Sequence, residues 1–264
     1  MKEHSLSILL DQKPIQILFD IFEGGSKEIR IVGGSVRDAL IGKITRDIDV
    51  AANASPNEII KILKKNDLSY EDYAYKYGSI TACIENQKFQ ITTLREDTNQ
   101  IGRHTNIIFT QDWEKDAARR DFTINAMYLS RNGKIKDFFN GQDDLANNTL
   151  RFIGNIENRI KEDFLRVFRY YRFLSIFEKP RIIDGYESIL LNYFERSFNF
   201  LSNDLIRQEI LKIFNLSFPL NSFFCDNKDM KKRYWVELTK KHFVKTGYEL
   251  GLTRCLNRID LLIK

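Results

Sequence analysis

The chain has 264 residues, 43% of them hydrophobic and 29% charged, with 41 Lys+Arg against 36 Asp+Glu for a net charge of +5. This is an ordinary globular composition, long enough for one large domain or two smaller ones, and its mild basic excess favours a nucleic-acid partner only weakly. The three cysteines (Cys83, Cys225, Cys255) and three histidines (His4, His104, His242) are widely scattered, which argues against a disulfide framework and a His/Cys zinc site. No run approaches the roughly 20 apolar residues of a membrane span, and residues 6–10 are too short for a signal-peptide core, so the cytoplasm is expected.

In chain order, residues 1–27 are expected to form a helical segment. From 28 to about 140, short strand-like runs alternate with helical ones. Residues 28–32 are β-rich and end at Gly33-Gly34. Residues 47–51 are a second strand candidate, with charged residues at alternate positions. Ser55-Pro56 opens a helix to about Lys65, with serine as N-cap and proline at the first helical position. Residues 77–84 and 88–94 read as strands joined by a turn at Glu85-Asn86-Gln87. Residues 96–112 are polar and without clear period, which predicts a long loop around Gly102.

After residue 154 the strand signals fade. Residues 157–177 carry apolar side chains at 160, 164, 168 and 171, a helical spacing, and residues 203–214 repeat it with Ile206, Ile210, Ile213 and Phe214 behind a Ser202 or Asn203 cap. The basic tail after Lys228 is expected to be helical. The predicted fold class is α+β: a head with a small mixed sheet and helices over 28–153, a helical neck over 154–215, and a short helical body or tail over 216–264.

Two constellations carry chemistry. Gly33-Gly34-Ser35-Val36-Arg37-Asp38 places a glycine turn between a strand and a helix, where backbone N–H groups, the Ser35 hydroxyl and the Arg37 charge suit a phosphate. Asp47 and Asp49 stand two apart on a strand and so project from one face. Two adjacent carboxylates repel unless a cation lies between them, and hard oxygen ligands near phosphate suit Mg²⁺. An isolated Asp-x-Asp is most often a solvated strand face; the nearby glycine turn and the apolar strand context shift the reading toward a metal site.

Gly-Gly-x-Val-Arg-Asp followed by Asp-x-Asp resembles the first motif of the class II tRNA nucleotidyltransferase and bacterial poly(A) polymerase family. The resemblance implies that Asp47 and Asp49 hold two Mg²⁺ ions, one lowering the pKa of an RNA 3′-hydroxyl and the other clamping the triphosphate gripped by the glycine turn. Arg119-Arg120-Asp121-Phe122-Thr123-Ile124-Asn125-Ala126 follows the family pattern nearly letter for letter, and paired arginines can neutralise phosphates bidentately. Glu162-Asp163-Phe164-Leu165-Arg166, continuing to Arg169 and Arg172, resembles the family's nucleotide-base template. Steps of three place these residues on one expected helix, where an ordinary exposed ion pair is the plainer reading. As a template, an accepting carboxylate beside a donating guanidinium complements the amino group and adjacent ring nitrogen of cytosine and adenine, and mismatches guanine and uracil.

Gly102-Arg103-His104 lies where relatives carry a flexible loop used to switch from C to A addition. The resemblance covers about residues 28–215 and implies CTP and ATP as substrates and tRNA as partner, with neither DNA nor membrane expected. Relatives often carry a third carboxylate on the strand before Thr92-Thr93-Leu94-Arg95, where this chain has Gln90. The alternatives are a poly(A) polymerase, a partial CC- or A-adding enzyme, and a non-catalytic RNA-binding protein.

Overall fold

The structure, a computed structural model, describes residues 2–43, 47–101 and 104–222. The chain divides into two compact units, the first made of residues 1–146 with 151–154 and the second of residues 147–150 with the chain from 155 onward.

The first unit begins with α1 (Lys2–Leu10) and α2 (Lys13–Gly24), followed by β1 (Ile29–Val32), α3 (Gly34–Leu40), β2 (Ile48–Ala52) and α4 (Pro56–Lys65). It continues through β3 (Ser69–Glu71), β4 (Ser79–Ile84), β5 (Gln87–Thr93), β6 (Arg95–Ile101) and β7 (His104–Phe109). It closes with α5 (Trp113–Ala118), β8 (Met127–Leu129), β9 (Ile135–Asp137) and α6 (Gly141–Ala146). Seven strands form one sheet in the order β3-β4-β5-β2-β1-β8-β9, while β6 and β7 make a separate two-stranded ribbon. Among the described residues only the β2–β5 pairing of the large sheet is parallel, so the sheet is mixed, as the sequence predicted.

Local chemistry sets several of these boundaries. Ser55 and Glu58 form a reciprocal capping box with Pro56 in the first turn, and Lys64 and Lys65 oppose the dipole at the other end of α4. The β4–β5 turn has Glu85 and Asn86 at φ +47° and +65°, the paired left-handed geometry that matches the twist of a two-residue hairpin. One face of the sheet is sealed by α2 and α4, whose Leu18, Phe22, Ile59 and Leu63 are buried together with Ile80, Ala82, Phe89 and Ile91. Each such large side chain contributes about 1.5–3 kcal/mol by leaving water. On the other face Val32, Ala51, Leu94, Ala117, Ala126, Tyr128 and Ile153 form a compact cluster with Trp113 packed against it.

Residues 96–112 depart from the sequence reading. The expected long loop is largely the β6–β7 ribbon, paired from Arg95↔Phe109 to Ile101↔His104 with a register shift between Thr98 and Ile101. Among its described side chains the charged Arg95 and Asp97 are partly buried while the apolar Ile108 and Phe109 are exposed, so the strands show no apolar alternation that would mark them in the sequence.

The second unit is helical: α7 (Ile156–Glu162), α8 (Leu165–Leu174), α9 (Tyr186–Ser197) and α10 (Asn203–Phe214). Phe168 and Tyr171 of α8 pack against Phe194 of α9 with ring centroids 5.3 and 5.4 Å apart. Arg172 of α8 reaches the buried Glu209 of α10 at 2.7 Å, and Lys212 reaches the same carboxylate at 2.9 Å. The expected single helix over 157–177 is broken at Asp163, whose φ of −152° is extended. Aspartate competes with helical hydrogen bonding, and here its Oδ1 accepts the Leu165 N–H at 3.0 Å at the start of α8. Among the described residues no helix is long and apolar enough to cross a membrane. The tail after Lys228 lies outside the described residues.

Candidate functional site

Strand alternation puts Asp47 and Asp49 at the surface. Asp47 immediately precedes β2, and both aspartates are exposed while Ile48 and Val50 between and after them are buried. The face that carries Ala51 into the apolar cluster carries Asp49 two residues earlier, so the carboxylates emerge at the rim of a packed core. Although the Asp49 side chain is exposed, the packed protein at its base partly desolvates the carboxylate and raises its pKa above the usual 3.8; Arg120 and Arg37 oppose the rise, and the neighbouring Asp47 charge adds to it. A carboxylate in such a field is stabilised in its ionised form by an added cation.

The glycine turn lies beside this pair through a direct tie. Gly33, at φ +71° and ψ −128°, caps α3 and lets the chain leave β1 for the helix. Two residues on, Ser35 is buried, and its hydroxyl donates to the Asp47 carbonyl and accepts the Asp49 N–H, each at 3.2 Å. Expected as a phosphate donor, Ser35 is thus bonded to the backbone of the acidic strand. Arg37 is also buried. Its Nη1 donates to Asn125 Oδ1 at 2.6 Å, and its Nε and Nη2 reach Asp38 Oδ1 at 2.9 and 2.8 Å.

Asn125 belongs to the arginine motif, so the two sequence motifs meet in space. Its Nδ2 donates to Asp121 Oδ1 at 3.1 Å, and the Asp121 carboxylate also accepts the Phe122 N–H at 2.9 Å. Arg119 and Arg120 converge on Asp116 of α5, a carboxylate only 1% exposed. Arg120 Nη1 lies 3.4 Å from where a Gly33 side chain would begin, which places this guanidinium against the glycine turn. Together Arg37 and Arg120 give the rim around Asp49 a fixed positive field.

Gln90 is the β5 partner of Asp49 in the parallel register, so both side chains leave the same face of the sheet. Its Nε2 donates to Ser79 Oγ at 3.1 Å. Among the described residues there is no group of three or more His, Cys, Asp or Glu side chains placed to hold a metal. Two carboxylates still fit a hard cation, because Mg²⁺ keeps several waters and takes the remaining oxygens from substrate phosphates.

In the second unit, Asp163 sits between α7 and α8, and the Arg166 guanidinium of α8 contacts Glu162 Oε2 at 2.5 Å and the Arg159 carbonyl at 2.8 Å. Arg159 also reaches Glu162, at 2.6 Å. Arg169 lies over the Phe173 ring at 5.4 Å, and Arg172 is engaged with Glu209. Gly102 and Arg103 lie outside the described residues, and His104 opens β7.

The sequence reading did not single out Asp116 or Tyr128, which the structure ties to the arginine motif, and named Asn125 only as a member of that motif. Asp116 had a signal: it precedes Arg119 and Arg120 by three and four residues, the two spacings that bring side chains together on a helix.

Comparison with known proteins places these motifs in context. Residues 29–151 match the family described as Poly A polymerase head domain. The chain is 40% identical over 189 residues to the human mitochondrial CCA tRNA nucleotidyltransferase 1, covering 68% of this chain and 44% of the human protein. It is 42% identical over 150 residues to the CCA-adding enzyme of Enterococcus faecalis, covering 56% of this chain and 36% of that one. The chain thus spans less than half the length of these curated relatives. Among solved structures, the Bacillus stearothermophilus CCA-adding enzyme in complex with CTP superposes with a TM-score of 0.70 at 26% identity, over 80% of this chain and 51% of that one. The Thermotoga maritima CCA-adding enzyme complexed with tRNA gives 0.66 at 25% identity, over 90% and 62%.

Proposed function

We propose that the protein, whose residues 29–151 match the family described as Poly A polymerase head domain, is a template-independent RNA nucleotidyltransferase adding C, C and A to tRNA 3′ ends from CTP and ATP. The observation that carries the reading is the paired exposure of Asp47 and Asp49 beside a glycine turn, in the field of Arg37 and Arg120. Nucleotidyltransferases of this family generally use divalent metals. Asp47 and Asp49 would hold two Mg²⁺ ions, which when bound activate the RNA 3′-hydroxyl and neutralise the pyrophosphate leaving group.

The protein's own groups do the rest. Backbone N–H groups at Gly33-Gly34 and the guanidinium groups of Arg119 and Arg120 receive the triphosphate. Ser35 and Arg37 hold the turn and the acidic strand in register, in keeping with their buried hydrogen bonds. Asp163 and Arg166 select the base. A carboxylate accepts from the amino group of C or A while a guanidinium donates to the adjacent ring nitrogen, and U and G present the reverse order. The fixed contacts of Arg166 with Glu162 and the Arg159 carbonyl support a rigid reader. The Gly102-Arg103-His104 segment serves the switch from C to A addition, and the setting is cytoplasmic.

The test is incubation of the purified protein with tRNA ending before its CCA, supplied with Mg²⁺ and each nucleotide alone or together. CTP alone is expected to add two residues, and CTP with ATP three and then stop. A ladder from ATP alone would assign poly(A) addition, and no extension of any kind would refute the proposal. In the same assay Asp47→Ala and Asp49→Ala are expected to lower the rate by several orders of magnitude.

A further inference from the structure

Arg119 and Arg120 are adjacent in sequence, carry like charge, and end in long side chains that are flexible in isolation. In the folded head neither is left to wander. Asp116 Oδ1 accepts from Arg119 Nε at 2.9 Å, lies 2.8 Å from Arg119 Nη2, and takes the Arg95 backbone N–H at 3.3 Å. Its Oδ2 accepts from Arg120 Nη2 at 3.0 Å and from the Tyr128 hydroxyl at 2.7 Å. Arg120 Nε in turn donates to the Tyr128 oxygen at 3.3 Å, and its guanidinium lies 5.3 Å from the Tyr128 ring centre. One buried carboxylate thus fixes both forks, while their side chains remain 15% and 17% exposed.

The cluster has an electrostatic signature of its own. Burial alone would raise the Asp116 pKa, but Arg120, Arg119 and the Tyr128 hydroxyl overcome it and bring the value down to about 2. Asp116 is therefore ionised at any working pH. A charged group so deeply buried is usually retained with its partners complete, since removing one leaves an uncompensated charge. Its position also matters for the acidic pair: Arg120 is the largest opposing influence on the raised pKa of Asp49 and sits against Gly33.

We propose that Asp116 is a positioning residue for nucleotide binding: it orients Arg119 and Arg120 in advance so that the triphosphate meets two fixed guanidinium edges beside Asp49. The proposal rests on the nucleotidyltransferase reading and adds to it a residue that touches no substrate. Because the arginines are already ordered, binding does not have to freeze them. Asp116→Asn keeps the shape and removes the charge that holds both forks.

The expected result for Asp116→Asn is a KM for CTP and for ATP raised about tenfold together, a difference of about 1.4 kcal/mol. The KM for RNA should be unchanged and kcat should stay within about threefold. A lower melting temperature with both nucleotide KM values intact would show a purely structural carboxylate and overturn the proposal. If Asp116→Asn does not accumulate as folded protein, Tyr128→Phe removes one donor from Oδ2 and should raise both nucleotide KM values about threefold; unchanged values would overturn it equally. Calorimetric titration with ATP and Mg²⁺ separates this idea from the broader function. Should the wild type extend no RNA, the function fails, but about tenfold weaker ATP binding by Asp116→Asn still supports the positioning role, and equal binding refutes it.

Discussion

Replacing Gly33 by alanine tests the joint between the glycine turn and the arginine pair. Gly33 has φ +71° and ψ −128°, a region that side chains rarely adopt. Forcing a Cβ into it costs about 1–3 kcal/mol in backbone strain. The added carbon would also lie 3.4 Å from Arg120 Nη1, at the edge of ordinary contact. Gly34 supplies the control, because it is the first residue of α3 and is absent from the glycines with positive φ. Its Cβ would meet Arg37 Nη2, also at 3.4 Å, so the two variants differ mainly in strain and in which arginine the new carbon meets. In Gly34→Ala the strain term is missing, and alanine's better helix propensity stabilises by up to about 1 kcal/mol. Gly33→Ala should therefore lose about 2 kcal/mol more than Gly34→Ala, measured by urea denaturation followed by circular dichroism. In steady-state kinetics its KM for CTP and ATP should also rise. Equal stability losses in the two variants would refute the strain argument, and an unaltered KM in folded Gly33→Ala would separate the turn from nucleotide binding.

Other perturbations follow from the same geometry. Because partial desolvation and the Asp47 charge raise the folded pKa of Asp49, its ionised form is disfavoured by the fold, and stability from this group falls as pH rises above the unfolded value of 3.8. Metal-free Asp49→Asn should accordingly melt higher than wild type at pH 7, with the gap narrowing near pH 4, and Mg²⁺ should stabilise only the wild type; a lower melting point at pH 7 would contradict this. Asp116 has the opposite sign: lowered from 3.8 to about 2, it contributes about 2 kcal/mol above pH 3.8 that is lost as pH falls through 2, and Asp116→Asn should lack this acid limb in a pH–stability titration. Asp163→Ala should relax discrimination against UTP and GTP by about one to two decades while CTP and ATP use falls, and Arg166→Ala should weaken CTP and ATP together; unchanged base choice in both, assayed with all four nucleotides, would make α8 purely structural. Gln90→Glu should leave activity within a few fold and shift the divalent-metal optimum, since it adds a third negative charge on the face of Asp49, whereas a large gain would mean that the natural site is impaired.

Much of the first unit was legible because its signals are local. The capping box at Ser55 and Glu58, the turn at Glu85 and Asn86, and the strand alternation around Asp47 and Asp49 are each decided within a few residues. The β6–β7 ribbon was not, because cross-strand pairing links residues up to 14 apart without imposing a pattern on either strand, as in Arg95 with Phe109. The break at Asp163 was hidden for a different reason. Apolar spacing continues through it, with Ile160 and Phe168 on either side, and only the side chain's competition for the Leu165 N–H ends one helix and begins the next.

The candidate site shows why motif residues that stand together in sequence need not share a task. Asp47 and Asp49 are exposed, and their chemistry is read directly from residue type and period. Ser35, Arg37 and Asn125 are buried, and each is bound to another motif residue: Ser35 to the backbone on either side of Ile48, and Arg37 to Asn125. A serine or arginine near a glycine turn suggests a phosphate contact because its hydrogen-bonding groups are counted as available. Burial adds a second demand, since a buried donor must be satisfied within the protein before any ligand arrives. The requirement for these residue types then comes from holding the exposed ones in place. Ser35 spaces Asp47 from Asp49 through two hydrogen bonds, and Arg37 joins the glycine turn to the arginine motif that begins at Arg119. Substituting a buried member should for that reason disturb several exposed groups at once, so its effect on nucleotide affinity and on stability should move together, unlike that of either surface aspartate.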